Sequence, residues 1–297
     1  MTSVATTSGQ DILLSDSLKR RKTRQVTVEV NSIDRNRNAS TYSNDFRWTF
    51  RRPLKDIVSI ELVTGCVPAD LYNVTTNWNS FVFGEAGADT KVVSLTPGQY
   101  TATTLAAELK RVLQNISGKT NTYDVTYSDT TKRLTITATN ATPVEYTFYF
   151  QPGQLHTDSI NATTGALESI NCPATLLGFD RLNTTSSSGV LSPPYHVDVN
   201  YCIKRLYLHV NADNSNELTR IESGSGRRDC FHVLFLSNCN DGFYNLNRDT
   251  YMPVYYSSPA PIARLSSLTI TIRDEFFRLV DLGNHEYSLV FEITTLD

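Results

Sequence analysis

The sequence has no apolar run approaching the roughly 20 residues that a membrane-spanning helix needs. Its first ten residues, Met1 to Gln10, hold neither the cationic start nor the apolar core of a secretory signal. Five cysteines, Cys66, Cys172, Cys202, Cys230 and Cys239, include no pair at the two-residue spacing of a metal knuckle. An odd and scattered set argues for reduced thiols in an intracellular setting over a disulfide framework. An excess of one charge is missing too: 27 Lys and Arg stand against 30 Asp and Glu. That near balance leaves no overall field to draw the chain onto nucleic acid. There is no Gly-x-Ser-x-Gly elbow and no His-Glu-x-x-His, and Gly224-Ser225-Gly226 runs into Arg227-Arg228-Asp229 instead of opening a helix. The pattern is that of a chain without an enzyme's signatures and without a bound cofactor.

What is abundant points to strands. Tyr and Phe number 15 and 13 against two Met, in a background rich in Thr, Ser and Asn. Phe46, Trp48 and Phe50 alternate with Asp45, Arg47 and Thr49, the two-residue period that places three aromatics on one face of a strand. Arg52-Pro53 then reads as a turn into a β-branched run from Ile57, giving a hairpin or a corner of an antiparallel sheet. Further strand patterns lie at 25–32, 80–84, 91–95, 144–150, 196–199, 204–210, 230–236, 265–273 and 287–293, and 123–127 with 133–138 read as a hairpin across Ser128 to Lys132. A helix is expected over 101–116, where Leu105, Leu109, Val112, Leu113 and Ile116 form one apolar stripe. Cys172 to Phe179 suggests a short buried helix in an otherwise irregular insertion, 151–194, which reads as a surface excursion. Residues 211–229 read as a mobile polar loop. A soft division at about 150 residues per domain allows two domains, yet strands from both chain ends framing the middle favour one antiparallel sandwich over 25–297. Long connections suit a jelly roll.

Residues 1–24 read as a flexible arm. Leu13, Leu14 and Leu18 are its candidate anchors, and Lys19, Arg20, Arg21, Lys22 and Arg24 are candidate contacts to an acidic partner. Five histidines are dispersed; His196 with Asp198, or His209 with His232 across neighbouring strands, are the best metal pairs available, set against ordinary core or surface histidines. Tyr251 to Tyr256, with Pro259 and Pro261, reads as an apolar ribbon that dresses a sheet edge or packs on a partner.

Taken in order, Val30-Asn31-Ser32-Ile33-Asp34-Arg35, Asn44-Asp45-Phe46, Pro53 to Leu62, Leu95 to Tyr100, Val125-Thr126-Tyr127 to Ile136, Leu176-Leu177-Gly178-Phe179 and Leu265 to Asp274 with His285-Glu286-Tyr287 resemble the jelly-roll minor capsid and penton proteins of large icosahedral double-stranded DNA viruses. Glu275-Phe276-Phe277-Arg278 departs from the pattern where a Gly is usual, and Asn284 stands where an acid is expected. The resemblance implies an all-β antiparallel jelly-roll sandwich with one amphipathic helix and long loop insertions. It implies a structural, non-enzymatic role in the virion capsid, assembled inside the host cell. A minor capsid protein would link capsomers through arm and loops, with the major capsid protein and other minor capsid proteins as partners. A penton would close a pentameric vertex. A glycan- or receptor-binding sandwich is the rival from another class.

Overall fold

The computed structural model describes residues 22–69, 71–76, 78–150, 172–200, 204–213, 216–222, 229–236, 242–246, 254–256, 260–283 and 285–296. Its spine is β2, Asp45–Pro68, 24 residues of continuous strand. The aromatic alternation holds: Phe46 and Phe50 are buried, and Trp48 packs against the same core, meeting Phe50 edge-on at 4.9 Å.

Arg52-Pro53 is a corner, not a hairpin. Along β15 (Ile262–Arg273), Leu265 faces Leu54 and Ser267 faces Thr49, so Ser266 alone opposes Phe50 to Pro53. The extra residues form a bulge, and Asp56 adopts a left-handed φ of 51° just beyond it. Proline suits that place because it has no N–H to lose from the ladder. The halves of β2 thereby belong to two layers. The second half, Ile57 to Cys66, pairs with β16 (Ser288–Leu296), which pairs with β1 (Thr23–Asn31). The first half pairs with β15, and the layer continues through β10 (Arg205–Ala212) to β11 (Asn216–Glu217) and β12 (His232–Phe235). β13 (Phe243–Leu246) and β14 (Val254–Tyr256) complete the other edge of the second half. The layers face one another: Phe46 meets Tyr287 at 5.9 Å, and Phe231 beside β12 meets Phe291 of β16 at 6.1 Å. A strand that changes sheets through a bulge is how sandwich corners are made. Among the described residues every pairing is antiparallel, and the fold is the expected all-β, jelly-roll-like one.

A second core is built between β2 and β10. β3 (Ser80–Glu85), β4 (Lys91–Ser94), β7 (Tyr146–Tyr149) and β8 (Thr184–Thr185) form one small sheet, and β5 (Tyr123–Ser128), β6 (Arg133–Ala138) and β9 (Val190–Leu191) another. The expected hairpin is β5–β6. The expected helix is α1, Ala102–Gln114, capped by Thr101 in a reciprocal bond with Thr104. Its stripe of Leu105, Leu109, Val112 and Leu113 is fully buried against Phe81, Phe83 and Phe148.

Several expectations are corrected. β1 starts at Thr23, so Thr23 and Arg24 of the supposed arm are paired in the sheet. Residues 172–191 are not a surface excursion: Cys172, Leu176, Leu177, Phe179 and Leu191 are core, while 151–171 lie outside the described residues. Cys172 to Phe179 is a turn and not a helix, closed at Gly178 (φ 84°), where a Cβ would come within 2.5 Å of the Tyr195 carbonyl oxygen. Residues 196–199 form no strand; there the Val197 N–H donates to Lys132 O and the Asp198 N–H to Leu176 O. Within 211–229, Asn211 and Ala212 complete β10 and Asn216–Glu217 is β11, with 214–215 and 223–228 outside the described residues.

Candidate functional site

Of the arm residues read as contacts, Leu13, Leu14, Leu18, Lys19, Arg20 and Arg21 lie outside the described residues. Lys22 and Arg24 are described and exposed, and the sheet gives them company that the sequence order conceals. One rank crosses four strands: Arg24 opposite Thr295, Thr295 opposite Ile57, Ile57 opposite Ile262. Two residues along, Lys55 lies opposite Arg264. Arg51 and Arg52 occupy the corner bulge, and both are exposed, as are Lys55 and Arg264. None of these six cations is ion-paired to another described residue. The acids beside them are Asp56 and Asp213, and the latter accepts from the Ser266 and Ser267 N–H groups at 2.9 Å. Four exposed cations, Arg51, Arg52, Lys55 and Arg264, thus gather at the corner, with Lys22 and Arg24 at the start of β1 two strands away. The sequence places Arg52 in a turn with Pro53, and Arg264 joins these cations only through strand pairing.

The opposite end of the sandwich is different in character. Its connections, 32–44 and 274–287, together with the start of β13, display Ile33 (56% exposed), Tyr42 (71%), Leu279, Phe277 and Phe243. Those connections are held by buried polar groups. Arg35, its side chain 1% exposed, donates through Nη1 to Glu286 Oε1 and to Ser32 O, both at 2.7 Å. Ser32 Oγ donates to Glu286 Oε2 and accepts from the Tyr287 N–H at 2.8 Å. Burial pushes the Glu286 carboxyl up, but bonds from Arg35 and Ser32 and the Arg35 charge outweigh it and hold the group below the usual carboxylate range. This explains why Ser32, Arg35 and Glu286 belong to the motif series: together they fasten β1 to β16. Asn44 likewise donates through Nδ2 to Val280 O at 2.6 Å.

Where the chain departs from the resembling pattern, Asp274 Oδ1 accepts from the Phe276 and Arg278 N–H groups, and Phe277 takes the left-handed φ of 63° that a Gly would supply. Arg278 lies over Trp78 and Phe276 beside a cleft of about 140 Å³ that is also lined by Leu71, Tyr72 and Pro97. That volume is below the range of small-molecule sites, roughly 300 Å³ and upward.

The histidine pairs do not form. His232 is directly opposite Leu208, so it shares that residue's face, and His209 points to the other. His209 Nδ1 instead meets Glu217 Oε1 at 2.8 Å and its ring packs edge-on against Phe277. Burial, assisted by the Arg220 charge, pushes His232 down to about 4. Asp198 pairs with Lys204 at 2.6 Å. Among the described residues no cluster of three His, Cys, Asp or Glu is placed to hold a metal. The aromatic ribbon does dress an edge: β14 pairs with Ser59 to Glu61, and Tyr255 packs against the first core, while Tyr251 to Pro253 lie outside the described residues.

Residues 16–214 match a family described as a family of unknown function, DUF5901. No curated protein matches the chain. Solved structures similar to it include the mavirus penton protein, with a TM-score of 0.45 and 10% identity over 93% of this chain and 100% of that one. A chain of the Sputnik virophage, seen by cryo-electron microscopy, has a TM-score of 0.43 and 12% identity over 91% and 98%.

Proposed function

The chain belongs to the DUF5901 family, whose description names no activity, and from that premise we propose that it is a structural component of an icosahedral viral capsid, a minor capsid protein that links capsomers. The observation that carries the proposal is the displayed apolar set at one end of a braced sandwich: Ile33, Tyr42, Phe277 and Leu279 stand on connections fastened by Arg35, Glu286 and Asp274, with Phe243 at the start of β13 beside them. Side chains of this kind, held on a rigid frame, bury against a neighbouring subunit at low ordering cost. Residues 1–21 supply a second contact, with Leu13, Leu14 and Leu18 as anchors and the following cations meeting acidic groups outside the chain. An arm that orders on binding keeps single contacts weak, so that subunits exchange until many contacts accumulate. The major capsid protein and other minor capsid proteins are the partners, and the virion is the location.

The test is co-sedimentation with assembling major capsid protein. The full chain is expected in the particle fraction; a variant lacking 1–21 and carrying Tyr42→Asp is expected to stay folded by circular dichroism and remain in the supernatant. Normal incorporation of that variant would overturn the proposal. Light scattering of the free chain distinguishes the positions in the capsid: a pentamer assigns it to the vertex, where a head-to-tail ring closes, and a smaller species to the facet.

A further inference from the structure

We propose that the free edge of β4 is a strand-addition site for an extended segment of a partner protein, one with an aliphatic residue followed two places later by an acid. The inference goes beyond the capsid role and stands on this edge alone. β4 is the terminal strand of its sheet and pairs only with β3. Just past it, the Leu95 N–H donates to Asn79 O at 2.8 Å, on the β3 side. Hydrogen bonding in an antiparallel pair alternates along the strand, so Val93 and Lys91 also turn their N–H and C=O groups toward β3. Val92 and Ser94 turn theirs away. The 2.8 Å approach of Ser80 Oγ to Ser94 Oγ, the closeness of a non-hydrogen-bonded pair, fixes the same phase. At Thr96, next in the outward series, the N–H donates to Glu108 Oε1 of α1 at 2.7 Å. The outward backbone groups of Ser94 and Val92 meet no partner among the described residues.

The surroundings of the edge define its occupant. α1 lies between β4 and β5. On the β5 side its side chains reach the strand, Gln114 Nε2 donating to Tyr123 O at 3.1 Å and Lys110 pairing with Asp124 at 2.7 Å. On the β4 side a groove of about 390 Å³ remains, lined by Val92, Val93, Ser94, Val112 and Ile116, with Lys91 at its end. Outward N–H and C=O groups two residues apart are complemented by another extended backbone, the chemistry of strand addition. Proline and bulges blunt a free edge, and β4 has neither. All pairings in its sheet are antiparallel, and an added strand in that sense places the residue opposite Val93 on the same face. That residue meets the apolar wall of Val112 and Ile116, and so is aliphatic. The residue opposite Lys91 meets an exposed cation that is ion-paired to no other described residue, and so is an acid. A second copy of β4 is a poorer fit, because its Lys-Val-Val-Ser sequence brings no acid to Lys91.

The experiment is a fluorescence-anisotropy titration of a labelled, end-capped peptide, Thr-Thr-Val-Thr-Glu-Thr, with the full chain. In antiparallel register its Glu stands opposite Lys91 and its Val opposite Val93, and the Thr between them faces Val92. Saturable binding below about 1 mM is expected. Methylating the backbone nitrogen of that Thr removes a donor aimed at β4 and should weaken binding by at least about tenfold, whereas methylating the Val or Glu nitrogen, which points away, should change it by less than about twofold. Val92→Pro removes an N–H that β3 does not use, a change that edge strands accept, and should also cost about tenfold. Lys91→Glu should weaken binding by about two- to fivefold, and a Lys in place of the peptide's Glu should restore it. Absence of saturable binding overturns the proposal, as does equal loss from methylation at all three nitrogens. The methylated peptides leave the protein unchanged, so they decide the matter if the Val92→Pro chain fails to fold.

Discussion

The guanidinium of Arg278 lies 4.2 Å from the ring centre of Trp78 while its Nε donates to Asp274 Oδ2 at 2.8 Å, so one side chain of the β15–β16 connection clamps the segment leading into β3. Arginine suits both jobs through its flat face and its fork of donors, and lysine has neither. Arg278→Lys should lower the unfolding free energy by about 1–2 kcal/mol in urea denaturation. An unchanged midpoint would mean that the stacking is incidental.

Removing one partner of the Arg35–Glu286 pair leaves a charge in a site built to neutralise it. Arg35→Met should cost about 1–3 kcal/mol, since Glu286, a quarter exposed, keeps Arg37 at 3.0 Å and Ser32, and Arg35→Met with Glu286→Met less than the sum of the two single changes, because the pair's desolvation cost disappears along with its attraction. A double-mutant cycle reads the coupling. The carboxyl is depressed in the folded state, so its contribution is complete above the unfolded carboxylate value and fades as pH falls through the folded one.

His232 makes a separate acid-sensitive contribution. Its folded value of about 4 lies below the ordinary value of 6.5, so the unfolded chain takes up a proton first as pH falls. Stability is constant above about pH 7, declines between about 6.5 and 4, and loses at most about 3 kcal/mol to this group. Melting temperatures measured across that window should fall, and His232→Gln should flatten the decline. His209, also pushed down by burial despite Glu217, adds to it in the same direction.

Phe277 pays a backbone cost for its position, since a left-handed φ costs a side chain roughly 1–2 kcal/mol. Phe277→Gly should therefore be more stable than Phe277→Ala by about 1 kcal/mol, although both lose the contacts to His209 and to Arg273, 4.3 Å from the ring centre. Equal stability of the two variants would show that the turn relaxes on substitution.

Much of the fold is legible in the residues because it rests on short-range periodicity. Phe46, Trp48 and Phe50 declare a buried face by alternation, and Leu105, Leu109, Val112 and Leu113 declare α1 by helical spacing. Both patterns report a local backbone meeting an apolar core and need no knowledge of which core it is. Cys172 to Phe179 is buried as its apolar residues suggest, but as a turn closed at Gly178 and not as a helix, while Asn211 and Ala212, whose small and polar character looks like surface, are recruited by β10.

The sequence by itself determined the class of the fold, the helix, the β5–β6 hairpin and the existence of a basic segment before β1. Only the tertiary structure decided that Arg52-Pro53 is a corner joining two layers, because a bulge and a hairpin turn use the same residues and differ in what pairs beyond them. It also decided that His209 and His232 face apart, a matter of register that a shift of one residue would reverse. The cations of the corner have the same origin: Arg264 is far from Arg51, Arg52 and Lys55 in the chain, and antiparallel pairing of β15 with β2 sets it opposite Lys55.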